Sequence, residues 1–160
     1  NQISRFRKRV YKINELIVKH EINLCNLDIY MNLDEIVQLK NDGFSIGAHS
    51  MNHPFYADIP FDQQLLETNE SLTWVEKCLN LDYRTFSFPF SDVSVKKQFF
   101  EEIDLDLSFG TAGIKDDEIA THLQRLPMDD NTGSVSLFVR KHLTLYHIKK
   151  LINKNLRTHV

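Results

Sequence analysis

Two histidines of this sequence stand four residues apart, in a segment that reads His-Ser-Met-Asn-His-Pro from position 49 to position 54. Imidazole nitrogens bind Zn²⁺ and related divalent ions at about 2.0–2.1 Å. Side chains at positions i and i+4 of a helical turn are neighbours on one face, so a single ion is within reach of both His49 and His53. The alternative is a pair of hydrogen-bonded loop histidines without a metal. The sequence context favours the metal site.

The neighbouring elements place this pair at the end of a strand. Residues 44–48 alternate apolar and small or polar side chains, which is typical of a short buried strand that runs directly into His49. The helix before it is predicted to begin after Asn32, where Glu35 completes a capping box, and to end at Gly43. Active sites of α/β folds collect at the carboxyl ends of strands. The position of the two histidines therefore agrees with a functional role.

The remainder of the chain alternates between predicted helices and predicted strands. Helices are predicted over residues 3–20, 60–80, 95–103 and 134–153, and strands over residues 84–90, 105–109 and 123–128. Short connections between such elements imply right-handed βαβ units and a mostly parallel sheet. The predicted class is α/β, and both a barrel and an open sheet are compatible with the pattern. We expect a single domain over residues 1–160.

Composition and charge exclude several classes of protein. The chain has 160 residues, 42 % of them hydrophobic and 26 % charged, which is ordinary for a folded globular protein and unlike a disordered chain. A net charge of −3 supplies too little positive field for nucleic acid to be the expected partner. No apolar run approaches the length of a membrane-spanning helix, and the first residues resemble neither a start methionine nor a signal peptide.

Several of these segments together resemble the polysaccharide deacetylases, the NodB-homology family of carbohydrate esterases. The second motif of that family is a His-Ser/Thr-x-x-His-Pro run after a helix and a glycine-containing turn, and residues 31–54 match it. The third motif has the form Phe-Ala-Tyr/Phe-Pro-Tyr/Phe-Gly, and it is matched by Phe-Ser-Phe-Pro-Phe-Ser-Asp at residues 86–92. Segments 107–113 and 124–128 are also similar to one subgroup. The resemblance covers about residues 31–128.

This resemblance implies a distorted (β/α) barrel and a metal-dependent hydrolase that removes acetyl groups from an N- or O-acetylated oligo- or polysaccharide. By the same resemblance, His49 and His53 are metal ligands, and zinc is the expected ion. Pro89 and Phe90 would shape the substrate groove together with Phe88, and the backbone amide of Phe90 would help to hold the developing oxyanion. One of the two phenylalanines is expected to pack in the core while the other contacts the ligand. The habit of the family favours the cell envelope or another extracytoplasmic location.

The sequence departs from the family in its catalytic acids. The first family motif, Thr-Phe-Asp-Asp, supplies the general base and the third metal ligand, but no Asp-Asp pair precedes Met31. The later pairs at residues 116–117 and 129–130 stand in polar, loop-like sequence, and we expect them at the surface. The family's late histidine cannot be assigned either, and its candidates lack the family context: His122, His142 and His147. No catalytic residue is assignable, and the third zinc ligand is missing.

Two accounts fit the missing motif. In the first, the chain is the carboxyl-terminal portion of a deacetylase that lacks its first strands, and by itself it would be inactive. Such a portion would expose strand edges, and either a homodimer through those edges or aggregation is expected. In the second account, the chain is a non-catalytic relative that keeps the fold and binds or displays carbohydrate.

Several other side chains have a structural interpretation. Trp74 is expected to pack in the core beside its neighbours in the long helix, and Ser50 is expected to cap a turn. Arg125 is expected to be salt-bridged within the fold rather than a groove residue. Asp104 and Asp106 could orient a catalytic group or be solvated carboxylates at a strand end, and these two alternatives are equally weighted.

Overall fold

The computed structural model describes residues 2–21, 30–128 and 133–160, with side chains from residue 11 onward. The chain divides into two compact units, Asn1–Phe44 and Ser45–Val160. The first unit contains α1 (Gln2–Lys19) and α2 (Leu33–Asn41). The second contains, in chain order, a 3₁₀ turn (Tyr56–Asp58), α3 (Phe61–Leu79), β1 (Thr85–Ser87), α4 (Lys97–Glu102), β2 (Leu107–Gly110), β3 (Asp116–Asp117), β4 (His122–Gln124), α5 (Val135–Leu151) and β5 (Leu156–Arg157).

Both helices of the first unit were predicted, and the predicted signals at both ends of α2 are present. The Asn32 side chain accepts a hydrogen bond from the Glu35 N–H, and the Glu35 carboxylate accepts one from the Asn32 N–H, which makes the predicted capping box. Gly43 follows the helix with φ = +92°, a conformation that an L side chain rarely adopts. The apolar side chains Ile13 and Leu16 of α1 are exposed.

The second unit contains parallel sheets, as the predicted α/β class requires. Three strands pair in parallel in the order β1-β2-β4, with Phe86 opposite Ser108 and Ser108 opposite His122. β3 pairs in parallel with β5, and neither of these two-residue strands was predicted. The described strands form two short open sheets and do not close into a barrel. None of the described helices is long and apolar enough to cross a membrane.

The predicted strand at residues 44–48 is not a regular strand in this structure. It is an extended segment with one parallel bridge, between Ala48 and Phe86, and Phe44 is exposed. Ala48 N–H donates to the Thr85 carbonyl at 2.8 Å, and its own carbonyl accepts from the Ser87 N–H at 2.9 Å. These two hydrogen bonds are sufficient to deliver residue 49 to the end of β1.

The core of the second unit lies between one face of the three-stranded sheet and helices α3 and α4. Its members are buried and mostly aromatic: Ala48, Tyr56, Leu72, Phe86, Phe88, Val95, Phe99 and Ile103. Each buried phenylalanine stabilises the fold by about 1.5–3 kcal/mol relative to an exposed one. This packing holds β1 rigidly, and with it the loops at its carboxyl end.

Helix α3 agrees with its predicted limits, but the prediction that Trp74 packs in the core is wrong. Trp74 is half exposed, and so is Leu66 of the same helix. Leu72 and Leu79 are buried. Residues follow one another by about 100° around a helix, so Trp74 points nearly opposite to Leu72. The buried face of α3 is instead completed by polar side chains: Gln64, Glu67, Thr68 and Ser71.

Candidate metal centre and substrate loop

The His49–His53 segment is a tight loop at the end of the Ala48 bridge and not a turn of helix. Ser50 and His53 have φ values of +67° and +51°, in the left-handed region. The Ser50 hydroxyl accepts a hydrogen bond from the His53 N–H at 3.0 Å, which confirms its predicted role in closing a turn. The helical geometry assumed for the i, i+4 pair is therefore wrong, although the loop brings the two rings together.

The two imidazoles approach each other through the nitrogens that face away from the backbone. His49 Nε2 and His53 Nε2 lie 3.1 Å apart. His49 Nδ1 lies 2.6 Å from the Ser87 carbonyl oxygen, which can only accept, so Nδ1 carries the proton. In the neutral ring, Nε2 of His49 therefore presents a lone pair toward His53. Within the described part of the chain, no third His, Cys, Asp or Glu side chain completes a ligand set around this pair.

A carboxylate from α3 anchors the His49–His53 loop through hydrogen bonds. Glu67 is 4 % exposed, and its Oε2 accepts from the backbone N–H groups of Met51 at 3.1 Å and Asn52 at 2.9 Å. Its Oε1 accepts from the Asn52 side-chain amide at 2.7 Å. Burial by itself raises the pKa of Glu67, but the hydrogen bonds from Asn52 and Met51 outweigh it and hold the pKa below its ordinary value. Glu67 was not predicted to have a role, although a glutamate at a core-facing position of α3 is a visible signal in the sequence.

The phenylalanines on either side of Pro89 have different environments. Phe88 is fully buried and Pro89 is nearly so, whereas Phe90 is 64 % exposed with φ = +57°. The Phe90 ring makes an edge contact with the His53 ring, with 4.7 Å between centroids. Of the three residues expected at the substrate groove, Phe90 is the one with a side chain available to a ligand.

An open groove of about 700 Å³ runs along the other face of the sheet, beside His49. Ser87 and Phe109 line this groove, and Phe86 also borders it, although Phe86 is fully buried as a member of the core. Arg125 also lines it, and its guanidinium donates to the carbonyl oxygens of Gly110 at 3.1 Å and Phe88 at 3.4 Å. The expected structural role of Arg125 is present, but its partners are carbonyls and it borders the groove as well.

The acidic residues considered near β2 lie away from this groove. Asp106 Oδ2 accepts from the Arg84 N–H at 2.7 Å, and the exposed Asp104 lies 3.6 Å from the Arg84 guanidinium. Both aspartates therefore contact Arg84, which precedes β1 at the amino-terminal end of the sheet. Of the histidines without an assignment, His142 and His147 lie on α5. These positions give none of the four a contact with the His49–His53 pair.

A second group of polar side chains is buried in the second unit. It consists of Asp92, Asp117, His122 and His159, which we call the buried cluster. Each can offer one ligand atom, and these atoms lie within 4.8 Å of one another. His122 Nε2 is 3.3 Å from Asp92 Oδ2, and His159 Nε2 is 3.1 Å from Asp117 Oδ1. These four residues were not predicted to share a site.

The expected surface position of the Asp116–Asp117 pair is wrong for its second member. The Asp117 side chain is 2 % exposed, whereas that of Asp116 is partly exposed and lies 3.1 Å from Lys150 Nζ. Asp117 is buried because β3 pairs with β5, and strands of two residues have no periodicity that a sequence pattern could reveal. The pair at residues 129–130 lies outside the described residues.

Asp92 carries a negative charge in this buried position. Burial raises its pKa, but hydrogen bonds from His122 and Gln124 and the charge of Arg157 outweigh that effect and bring the pKa well below its ordinary value. The Gln124 amide nitrogen donates to Asp92 Oδ2 at 3.0 Å and to Asp117 Oδ2 at 2.9 Å. The two carboxylates are thus bridged by one side chain.

Comparison with known proteins gives one match. The sequence model of the family described as polysaccharide deacetylase matches residues 10–105, which is more than half of the chain. This range includes the His49–His53 loop and the segment from Phe88 to Asp92, and it begins before and ends before the range of 31–128 covered by the motif resemblance. No curated protein and no solved structure matches the chain.

Proposed function

The chain belongs to the polysaccharide deacetylase family, and from that premise we propose that it acts as a metal-dependent hydrolase that removes acetyl groups from an N- or O-acetylated carbohydrate. The family supports a deacetylase-type function in general. The metal, its ligands and the substrate surface are the finer parts of the proposal. The single observation that carries them is the convergence of His49 Nε2 and His53 Nε2 at 3.1 Å beside an exposed aromatic ring.

The two histidines fit a zinc ion. Two nitrogens bound to one tetrahedral zinc at 2.0–2.1 Å lie about 3.3 Å apart, close to the separation of 3.1 Å between His49 Nε2 and His53 Nε2. The Ser87 carbonyl holds the proton of His49 on Nδ1, which is the partner that metal-bound histidines commonly have on the nitrogen away from the ion. A divalent ion held there would polarise the acetyl carbonyl and acidify a bound water.

The third ligand and the general base are not assigned to any described residue. Within the described part of the chain, no carboxylate completes a ligand set around the histidine pair. In the family that this sequence resembles, an aspartate is the third ligand and another is the base. Two histidines alone would bind zinc weakly, because structural and catalytic zinc sites use three or four protein ligands.

The carbohydrate is proposed to lie over Phe90 and along the groove that Arg125 borders. An exposed aromatic ring 4.7 Å from the His53 ring gives an apolar platform within one sugar ring of the metal. The groove combines apolar walls with a few polar groups, as ligand sites do. Phe88 would act indirectly, since it is buried and supports the backbone of the loop.

Zinc titration is the first test of this proposal. We expect the chain to bind zinc in a calorimetric titration and His49→Gln to weaken that binding at this site at least tenfold, because one of two nitrogen ligands is lost. His147→Gln is the matched control, since His147 is an exposed histidine on α5. Equal zinc binding by the wild-type protein and by a folded His49→Gln variant would contradict the assignment.

Acetate release from an acetylated oligosaccharide is the second test, with the protein as expressed from its gene. We expect release that is abolished by a chelator, restored by zinc and lost in His49→Gln but kept in His147→Gln. Binding of the oligosaccharide without any release of acetate would overturn the hydrolase proposal and favour a carbohydrate-binding role.

A further inference from the structure

The buried cluster has the ligand set of a zinc site that is separate from the His49–His53 pair. It contains two imidazoles and two carboxylates, and their ligand atoms lie within 4.8 Å of one another. We propose that Asp92, Asp117, His122 and His159 hold a second divalent ion, with zinc preferred, in a structural site. The assignment does not depend on the deacetylase proposal, because the two sites share no residue.

The distances within the cluster are close to those of a tetrahedral site. His122 Nε2 lies 3.3 Å from Asp92 Oδ2, and His159 Nε2 lies 3.1 and 3.2 Å from the two oxygens of Asp117. Ligand atoms about 2.0–2.2 Å from one tetrahedral ion are separated by about 3.3 Å. The most distant ligand atoms, at up to 4.8 Å, would have to move closer together to complete a tetrahedral shell. The same residues would still face one another.

The orientation of His159 is the second observation. Its Nδ1 lies 3.0 Å from the Val95 carbonyl oxygen, which can only accept, so the proton of the neutral ring is on Nδ1. Nε2 then presents a lone pair to the carboxylate of Asp117, and two acceptors at 3.1 Å repel each other unless a cation lies between them. That cation is either a second proton on the ring or a metal ion.

The charges near the cluster are compatible with a divalent ion. Asp92 and Asp117 are buried carboxylates, and the exposed Glu118 accepts a hydrogen bond from the His159 N–H. Arg157 contacts Asp92, with 3.3 Å between its guanidinium and Asp92 Oδ2. Of the two buried carboxylates, Arg157 offsets one, and the charge of the other is left for a cation between His159 and Asp117 to neutralise.

The surrounding side chains have the arrangement expected of an outer shell. Gln124 accepts from the Ala112 N–H through Oε1, so its amide nitrogen must face the two carboxylates that it bridges. Ser108 Oγ lies 2.8 Å from His122 Nδ1 and orients that ring. Such contacts orient metal ligands and tune them. Zinc binds both imidazole nitrogens and carboxylate oxygens, whereas Ca²⁺ and Mg²⁺ prefer oxygen ligands alone.

The ion would connect parts of the chain that are far apart in sequence. Asp92 follows the Phe88–Phe90 loop, Asp117 and His122 belong to β3 and β4, and His159 follows β5. Binding at this point would fix the carboxyl-terminal segment against the sheet and the Phe88–Phe90 loop. The expected consequence is a denaturation midpoint that rises with zinc concentration.

Metal stoichiometry on the full chain tests the proposal. The double variant His49→Gln/His53→Gln, stripped with a chelator, reloaded with zinc and desalted, is expected to retain one equivalent of zinc by elemental analysis. Asp117→Asn in the same background is expected to lose it. Asp116→Asn is the matched control, because the Asp116 carboxylate contacts Lys150 and not the buried cluster. This variant is expected to retain its one equivalent of zinc.

Two results would overturn the assignment. One is a folded His49→Gln/His53→Gln variant that retains no zinc after reloading. This result would count against the site directly, because all four residues of the buried cluster are unchanged in that variant. The other is an imidazole nitrogen NMR spectrum in which His159 is doubly protonated and unaffected by zinc, because the cation between His159 and Asp117 is then a proton. Acetate release and zinc binding at His49 are measured separately, so failure of one proposal leaves the other distinguishable.

Discussion

Replacing Glu67 by glutamine tests whether the α3 carboxylate holds the histidine loop in its metal-binding shape. The change keeps the size of the side chain and removes its charge. In the wild-type protein Glu67 accepts two backbone N–H groups through one oxygen and the Asn52 amide through the other. The glutamine NH₂ group can satisfy at most part of this set, because it is a donor facing donors.

The expected magnitude follows from these contacts. A hydrogen bond to a charged group contributes more than the roughly 1 kcal/mol of a neutral one, but Met51 and Asn52 are exposed and water replaces part of what is lost. We expect Glu67→Gln to destabilise the ordered loop by about 1 kcal/mol and Glu67→Ala by about 2 kcal/mol. If the whole change appears in the population of the binding-competent loop, zinc affinity at His49 and His53 falls about fivefold and about thirtyfold.

Calorimetric zinc titration with parallel thermal unfolding measures both quantities. Glu70→Gln is the matched control, because Glu70 is an exposed glutamate on the same helix and its substitution removes the same charge. We expect Glu70→Gln to bind zinc as the wild-type protein does. Wild-type affinity in a folded Glu67→Ala variant, or an equal loss in Glu70→Gln, would refute the claim that Glu67 positions the loop.

Three further outcomes follow from the same structure. Phe88→Ala should cost about 3–5 kcal/mol in unfolding free energy, whereas Phe90→Ala should leave the unfolding midpoint nearly unchanged and weaken binding of an acetylated oligosaccharide; a large loss of stability in Phe90→Ala would contradict the assignment. Gly47→Ala should cost about 1–3 kcal/mol in denaturant unfolding, because its Cβ would lie 2.4 Å from Thr85 Oγ1 and 3.0 Å from the Thr85 carbonyl; unchanged stability would show that the segment relaxes freely. Since the folded pKa of Glu67 is lowered, its contribution is present in full above the ordinary glutamate pKa of about 4.3 and is lost as pH falls through the lowered value. The difference in unfolding midpoint between wild type and Glu67→Gln should therefore be constant near neutral pH and shrink in acid, and a difference that does not vary with pH would contradict this.

The histidine pair shows how far spacing alone reaches. His49 and His53 were predicted to share one ion, and the structure brings their Nε2 atoms to 3.1 Å. The prediction used helical geometry, whereas the structure uses a loop with left-handed residues closed by Ser50. The local sequence specifies a turn at this position, but its φ and ψ angles depend on the Ala48 bridge to Phe86 and on Glu67 below.

Packing decided the roles that the sequence left open. The pattern of residues 86–92 indicated that one phenylalanine packs and another faces the ligand, and only the position of helices α3 and α4 shows that Phe88 is the buried one. Trp74 was expected in the core because its neighbours are apolar, yet helical phase turns it outward. Burial is a property of both surfaces at an interface, and one segment of sequence describes only one of them.

The sequence by itself determined the α/β class, most helix limits and the closeness of His49 to His53, because capping, periodicity and short-range spacing are local properties of the chain. The buried cluster was decided by tertiary structure alone. Its members at positions 92, 117, 122 and 159 meet through parallel pairing of very short strands and through the return of the carboxyl-terminal segment. Contacts of this range follow from how the whole chain closes its core, so no window of sequence contains them.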